Sequence, residues 1–309
     1  MTPAVSIVLL TRNGAATLGP LLDALRHQRG DVPVEIIALD SGSQDGTLEL
    51  LTPRVDKVIG IAPDDFDHGL TRNLGLEHAR GELVVLLVQD AIPASDTWLM
   101  ALTEPLFSDA SLAGAFARQI PRPDSSPITR YYHARWAGAA PNPRVSRLIS
   151  RQELEALAPL ARLERCTFDN VCSCIRRAVW ARYPFKQTPI AEDLEWAREV
   201  LLAGFGLAYV PDAVVVHAHE RSARYELART YLLHRRLYEL FGVRTIPTLP
   251  DLIRAIASSV ALHVRCERSA GRRLASWRGV ALAGAWPLGQ YVGATSAKRG
   301  WALRRLRGV

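Results

Sequence analysis

Short apolar runs bounded by turn residues recur along the first part of the chain, with amphipathic stretches between them. Val5-Ser-Ile-Val-Leu-Leu predicts a strand over 5–10, ended by Thr11-Arg12-Asn13-Gly14. Leu18, Leu21, Leu22 and Leu25 fall on one face of a helix over 16–28, because residues three and four apart are neighbours on a helix surface. A strand over 34–39 follows. A turn and helix over 40–51 come next, with Ser43 or Asp45 able to cap the start. The pattern then gives a short strand over 57–61, a loop over 63–69 and a helix over 70–79 that Gly81 ends. The strand 83–88 completes the unit. Strands separated by helices of roughly ten residues predict an α/β fold with a mostly parallel, doubly wound sheet and helices on both faces.

The middle of the chain is less regular. A helix over 98–107, a strand over 112–118, helices over 153–161 and 191–202, and strands over 207–210 and 213–217 either side of Pro211-Asp212 are expected. Pro121 to Pro127 reads as a loop by its turn residues. From Arg221 onward the pattern is helical and basic, interrupted by Pro247, Pro250 and Pro287. The organisation expected is one sheet domain in two parts, 1–100 and 101–220. A basic helical extension over 221–309 follows.

Composition narrows this. The 309 residues carry a net charge of +7, and only Lys57, Lys186 and Lys298 of the 38 basic residues are lysine. Arginine pairs bidentately with phosphate, and the same bias is equally the mark of a GC-rich genome. No apolar stretch is long enough to span a bilayer: 255–264 is broken by serines and a histidine, and 280–294 by Pro287, Gln290 and glycines. The run 5–10 is too short, and lacks the basic lead, for a secretion signal. Cys166, Cys172, Cys174 and Cys266 lack zinc-site spacing and read as free thiols. A cytoplasmic location follows as the expectation.

Two acidic segments carry the candidate chemistry. The runs before Asp40 and Asp90 both stop at an aspartate, and ligands of open α/β sheets bind outside the carboxyl ends of the strands. Both carboxylates are therefore expected on one rim. Asp40-Ser-Gly-Ser-Gln-Asp-Gly-Thr suits close backbone approach to a phosphate, or is an ordinary capped strand-turn-helix junction. Asp90 suits Mg²⁺ or Mn²⁺ on a diphosphate, or caps the turn before Pro93. Glu192 and Asp193 open an amphipathic helix, where one of them could be a general base. His217 and His219 share a face only if their strand runs through both.

In this order these residues resemble family 2 glycosyltransferases, inverting enzymes with the GT-A fold. The likeness covers about residues 4–220 and implies a nucleotide-sugar part over 1–100 and an acceptor and catalytic-base part over 101–220. It rests on Thr11-Arg12-Asn13-Gly14, the Asp40 segment, Thr71-Arg72-Asn73-x-Gly75 followed by Ala79-Arg80-Gly81-Glu82, the strand-end aspartate and Glu192-Asp193. Phe66-Asp67-His68-Gly69, Val88-Gln89-Asp90-Ala91 and Arg118-Gln119-Ile120-Pro121 are similar to the bacterial rhamnosyltransferase branch. The resemblance implies that Asp40, Thr11, Asn13 and Ser43 hold the donor nucleotide. It implies Asp90 as the last acid of a metal-binding Asp-x-Asp motif, His219 beside the metal, and Asp193 as catalytic base. Val88 and Gln89 replace the earlier acids of that motif. Arg72 is a candidate for diphosphate contact, and Arg118, Gln119 and Glu192 for the acceptor.

The implied reaction moves a sugar, rhamnose in the first instance, from a nucleoside diphosphate to a saccharide or lipid-linked acceptor in surface-glycan assembly. Basic residues from Arg221 to Arg307 interleave with Trp277, Trp286 and Trp301. They suit peripheral contact with the inner face of an anionic membrane, or the solvated face of a helical extension. No nucleic-acid recognition motif accompanies the charge. The rival readings are a sugar-nucleotide nucleotidyltransferase and a non-catalytic basic surface-binding module.

Overall fold

The apolar runs of the first ninety residues pair side by side, as their burial on both faces requires. A computed structural model of the protein describes residues 3–30, 32–271 and 277–301. In chain order the elements are β1 (Val5–Thr11), α1 (Ala15–Arg26), β2 (Val34–Asp40), α2 (Thr47–Leu51), β3 (Lys57–Gly60), α3 (His68–His78), β4 (Leu83–Val88), β5 (Ile92–Pro93), α4 (Trp98–Ser108) and β6 (Leu112–Ile120). They continue as α5 (Pro127–His133), β7 (Arg144–Ser146), α6 (Arg151–Ala156), α7 (Pro159–Arg165), β8 (Cys172–Arg176), α8 (Arg177–Trp180), α9 (Glu192–Leu202) and β9 (Gly206–Val216). Three helices follow: α10 (Ala223–Phe241), α11 (Leu249–Ser269) and α12 (Trp277–Lys298).

These residues form two compact units. The first comprises 1–122, 136–156 and 165–217; the second comprises 123–135, 157–164 and 218–309. The first unit holds one sheet in the order β3-β2-β1-β4-β8-β6-β9-β5, with β7 on β9. β1, β2, β3 and β4 run parallel, and β6 and β9 are parallel to each other. Helix α1 lays Leu18, Leu21, Leu22 and Leu25 on the core that β1 and β4 share with Trp98, Leu102 and Leu106 of α4. The four cysteines are buried and free.

Three departures from the sequence pattern bear on the architecture. The first is β8, which was not expected. It is short, its Ser173 is buried, and it lies antiparallel between β4 and β6. The second is the pair of strands expected around Pro211-Asp212, which is the single strand β9. Its register against β6 jumps from Val210 to Val214, so the intervening residues are absorbed as a bulge. The third is the helix expected over 153–161. It is two helices, because the residue before Pro159 is disfavoured in helical conformation.

In the second unit Pro250 sits in the first turn of α11, where its missing N–H is harmless. Pro287 does not interrupt α12. Bonds to α10 hold α12 on either side of it: Trp286 Nε1 donates to Glu226 (3.0 Å), and Ser296 Oγ donates to Tyr231 (3.2 Å). Arg272 and Arg273, Arg304, Arg305 and Arg307, and the side chains of Trp277 and Arg278, lie outside the described residues. No helix among the described residues is long and apolar enough to cross a membrane.

Helix α3 presses on the sheet through Gly75. A Cβ there would stand 2.4 Å from Val8 Cγ1 and 2.9 Å from Leu39 Cδ1. Gly75→Ala gains helix propensity but overpacks this contact. We expect a net loss of about 1–3 kcal/mol, read as a lower urea midpoint with an unchanged slope. An unchanged midpoint would mean that α3 does not press on β1 and β2.

Candidate active site at the strand ends

Three parallel strands end at one edge of the first unit. Thr11 closes β1 opposite Asp40 of β2, and Leu10 pairs with Val88 of β4. The sheet therefore brings Asp40 and Asp90 to the same rim.

Asp40 is buried and organises its own loop. Its Oδ2 accepts from Thr11 Oγ1 (2.8 Å) and Ser43 Oγ (2.6 Å); its Oδ1 accepts from the backbone N–H groups of Gly42 (3.1 Å) and Ser43 (2.8 Å). A carboxylate has about four lone-pair sites, so this one is saturated. Asn13 has a left-handed backbone (φ 47°), and its side-chain oxygen accepts from Gln44 N–H (2.9 Å). Four successive N–H groups of the β1–α1 loop donate to side chains. Arg12 gives to Gln89 Oε1 (2.8 Å), Asn13 to Ser43 Oγ (2.7 Å), Gly14 to Thr47 Oγ1 (2.8 Å) and Ala15 to Asp45 Oδ2 (3.1 Å). Asp45 also accepts from Thr47 N–H at the start of α2 (3.2 Å), whereas Ser43 serves Asp40 and Asn13 instead of capping.

The second group forms where β4 and β9 end. β9 stops at Val216, so strand alternation does not align the two histidines. Their side chains nevertheless converge: Asp90, His217 and His219 offer ligand atoms within 4.8 Å of one another. His217 is buried, its Nε2 is 3.7 Å from Asp90 Oδ1, and its Nδ1 is 2.9 Å from Gln119 Oε1. Donation of Nδ1–H to that oxygen makes Nε2 the nitrogen that carries the lone pair a metal would use. One carboxylate and two imidazoles fit a divalent transition ion. Arg118, next to Gln119, is half-buried and donates to the Ala139 carbonyl (3.1 Å).

The third group surrounds the start of α9. Ala191 is left-handed (φ 63°), a strained state for a residue with a Cβ, and the helix begins directly after it. Glu192 is buried and pairs with the buried Arg72 of α3 at 2.8 Å. Arg72 also donates to the carbonyls of His68 (3.0 Å) and Asn170 (3.3 Å). Asn170 N–H in turn donates to Asp193 Oδ2 (3.3 Å), and Leu194 N–H to Asp193 Oδ1 (2.8 Å). Burial raises the Glu192 carboxyl, but the Arg72 charge and then His68 outweigh it, so Glu192 is held below the usual range. Asp193 moves the other way. Burial, then the negative charges of Glu192 and Asp169, push its carboxyl well above the usual range. Neighbouring acids thus divide, one locked as an anion and one with high proton affinity.

Sequence reasoning missed Asp169, Asn170 and His68 as neighbours of this pair, and took His219 without His217 for the metal. Asp169-Asn170 has no local signature, since its partners lie on α3 and α9. Asn73 also serves this region. Its side chain bonds the Phe185 backbone (2.8 and 3.1 Å) and Trp180 Nε1 (2.8 Å), tying α3 to the segment that leads into α9.

The family model described as glycosyl transferase family 2 matches residues 6–158. The O-antigen chain rhamnosyltransferase RfbN of Salmonella typhimurium is 30% identical over 232 residues, which cover 74% of this chain and 70% of that protein. The chain belongs to glycosyltransferase family 2. Its fold is also that of the mannosyltransferase PcManGT from Pyrobaculum calidifontis, solved with GDP-Man and Mn²⁺. That likeness has a TM-score of 0.60 at 19% identity and covers 96% of this chain and 88% of that one. Glucosyl-3-phosphoglycerate synthase from Mycobacterium tuberculosis, solved with Mn²⁺ and UDP, gives a TM-score of 0.54 at 19% identity over 78% of this chain and 81% of that one. As a family 2 glycosyltransferase the protein is an enzyme that moves a sugar from a nucleotide-linked donor. The nucleotidyltransferase and non-catalytic readings are not favoured.

Removing one partner of a buried ion pair strands the other charge. We expect Glu192→Ala to lower unfolding free energy by about 3–5 kcal/mol, and the double change Arg72→Met with Glu192→Leu to recover most of it. Denaturant titration of the wild type and both variants checks this. Equal stability of wild type and Glu192→Ala would contradict the buried pair.

Proposed function

We infer that this glycosyltransferase transfers rhamnose from deoxythymidine diphosphate-rhamnose to a saccharide or lipid-linked acceptor, with inversion, in surface-glycan assembly. The sugar is suggested by the rhamnosyltransferase relative. The mechanism is supported by one observation above the others: Asp193 is a single carboxylate of raised proton affinity, held at the head of α9 by Asn170 and flanked by the Arg72–Glu192 pair. An inverting transfer needs one base for the acceptor hydroxyl, whose oxygen attacks the anomeric carbon opposite the leaving diphosphate. Asp193 is that base. Glu192 is occupied by Arg72, so this pair positions Asp193 and does not itself contact the donor or acceptor.

The donor nucleotide occupies the rim built by Thr11, Asn13 and Ser43 around Asp40. Because Asp40 is saturated by its loop, it shapes the pocket, and the hydroxyls and Asn13 meet the base. Asp90, His217 and His219 would hold a divalent ion. Such an ion supplies positive charge to the diphosphate leaving group. A donor set with two imidazoles favours Mn²⁺ over Mg²⁺, which prefers oxygen ligands. Gln119 sets the tautomer of His217, and Arg118 beside it contributes to the acceptor side. The enzyme works at the cytoplasmic face of a membrane. That reading is supported by exposed Leu249 and Ile253 next to exposed Arg254 on α11, with Arg265 and Arg268 further along it.

Calorimetric titration with deoxythymidine, uridine and guanosine diphosphates, with Mn²⁺ or chelator, tests the donor assignment. Selective, metal-enhanced binding of one of them is expected. Asp193→Asn keeps that binding and loses transfer by at least about a hundredfold. A general base must be ionised, so kcat/KM falls as pH drops through its pKa. With that pKa raised, the acid limb lies above the usual carboxylate range, and Asp169→Asn moves it to lower pH by removing a repelling charge. Retained transfer by Asp193→Asn would eliminate the base assignment. For the membrane reading, co-sedimentation with anionic vesicles is expected and is weakened by Ile253→Asp. Equal recovery with neutral vesicles would count against it.

A further inference from the structure

Gln89 stands where the strand-end acidic motif has lost its earlier acids, and its geometry gives it a different task. The last β1–β4 ladder pair is Leu10 with Val88. Beyond it β4 turns away, with Ala91 N–H donating to Val88 O (3.2 Å). The Gln89 carboxamide then continues the ladder in place of backbone. Its Oε1 accepts from Arg12 N–H (2.8 Å) and its Nε2 donates to Arg12 O (3.0 Å). A carboxamide has one acceptor and one donor side, as a peptide group has. A carboxylate accepts only, so an acid here would set an anionic oxygen against the Arg12 carbonyl.

Two further facts make this contact specific. Of the four consecutive N–H groups at 12–15, those of Asn13, Gly14 and Ala15 donate to the β2–α2 loop and the first residue of α2, and Arg12 alone donates to the residue that follows β4. Gly14 leaves room for the contact. A Cβ at Gly14 would lie 2.3 Å from Gln89 Oε1 and 2.7 Å from its Cδ. The Gly14 backbone (φ −105°) is open to alanine, so the obstacle is the Gln89 side chain and not the backbone.

We propose that Gln89 is a positioning residue for the donor, a two-point clamp that ties the nucleotide loop 11–14 to the strand end carrying Asp90. The clamp fixes the distance between the pocket for the base and the group that meets the diphosphate. It explains why this chain has glutamine next to Asp90. The proposal rests on the reading of loop 11–14 as the donor pocket. Gln89 is only half-buried, so losing its bonds leaves the core intact.

The test is a double-mutant cycle on the full chain, read by calorimetric binding of deoxythymidine diphosphate and by steady-state transfer. Gln89→Ala and Gly14→Ala each remove the clamp, and each is expected to weaken binding roughly tenfold, the worth of one to two ordinary hydrogen bonds. KM for the sugar donor rises alongside, kcat falls far less, and the thermal midpoint is nearly unchanged. Because both changes break one contact, the double variant is no weaker than either single one. Gln89→Glu restores an acid beside Asp90 but cannot donate, so it is expected to bind at least as poorly as Gln89→Ala. Additive losses, wild-type binding by Gln89→Ala, or tighter Mn²⁺-dependent binding by Gln89→Glu would each overturn the clamp. Absence of nucleotide binding by the wild-type protein is a separate result. It would remove the donor-pocket reading, and the clamp with it.

Discussion

An arginine buried in a protein interior must meet a carboxylate or its desolvation is left uncompensated. Arg72 meets Glu192, and the region around the proposed base is arranged about that requirement. The pair joins α3 to α9, and Arg72 also takes the carbonyl of Asn170, whose N–H holds Asp193. Asn73, the next residue on α3, fastens the chain leading into α9 at Trp180 and Phe185. The Thr71-Arg72-Asn73 segment therefore works as a brace. Its charge fixes Glu192 as an anion, and that anion, together with burial and Asp169, raises the proton affinity of Asp193. One buried contact thus helps to set both the place and the proton affinity of the group proposed as the base.

The rim of the parallel strands follows a different logic. There the problem is a loop full of backbone donors at the edge of the sheet. It is solved by side-chain acceptors from two neighbouring loops. Asp40 spends all its acceptor capacity on this local order. A rigid pocket of hydroxyls and amides results, which suits a ligand whose binding should cost little reorganisation. His217, just after β9, is oriented from behind by Gln119 on β6. The proposed leaving-group site and the proposed nucleotide site are thus both held by second contacts, and Gln89 bonds the loop of one to the strand end of the other.

The sequence determined the parallel α/β unit, because uninterrupted apolar runs between amphipathic stretches admit few other arrangements. It determined that Asp40 and Asp90 stand on one rim, since both end parallel strands of one sheet. It also carried the family, through an ordered set of short motifs that are individually weak. Tertiary structure alone decided what those motif residues touch. Arg72 looks from sequence like a free cation for a diphosphate, but its partner is 120 positions away. Strand β8 was not legible because a short segment with a buried serine gains its place only from β4 and β6 on either side. The convergence of His217 and His219 past the end of β9, and the proton affinity of Asp193, depend on neighbours that no local pattern encodes. Local periodicity follows from the chain's own geometry, whereas side-chain partnership and desolvation follow from contacts between distant segments.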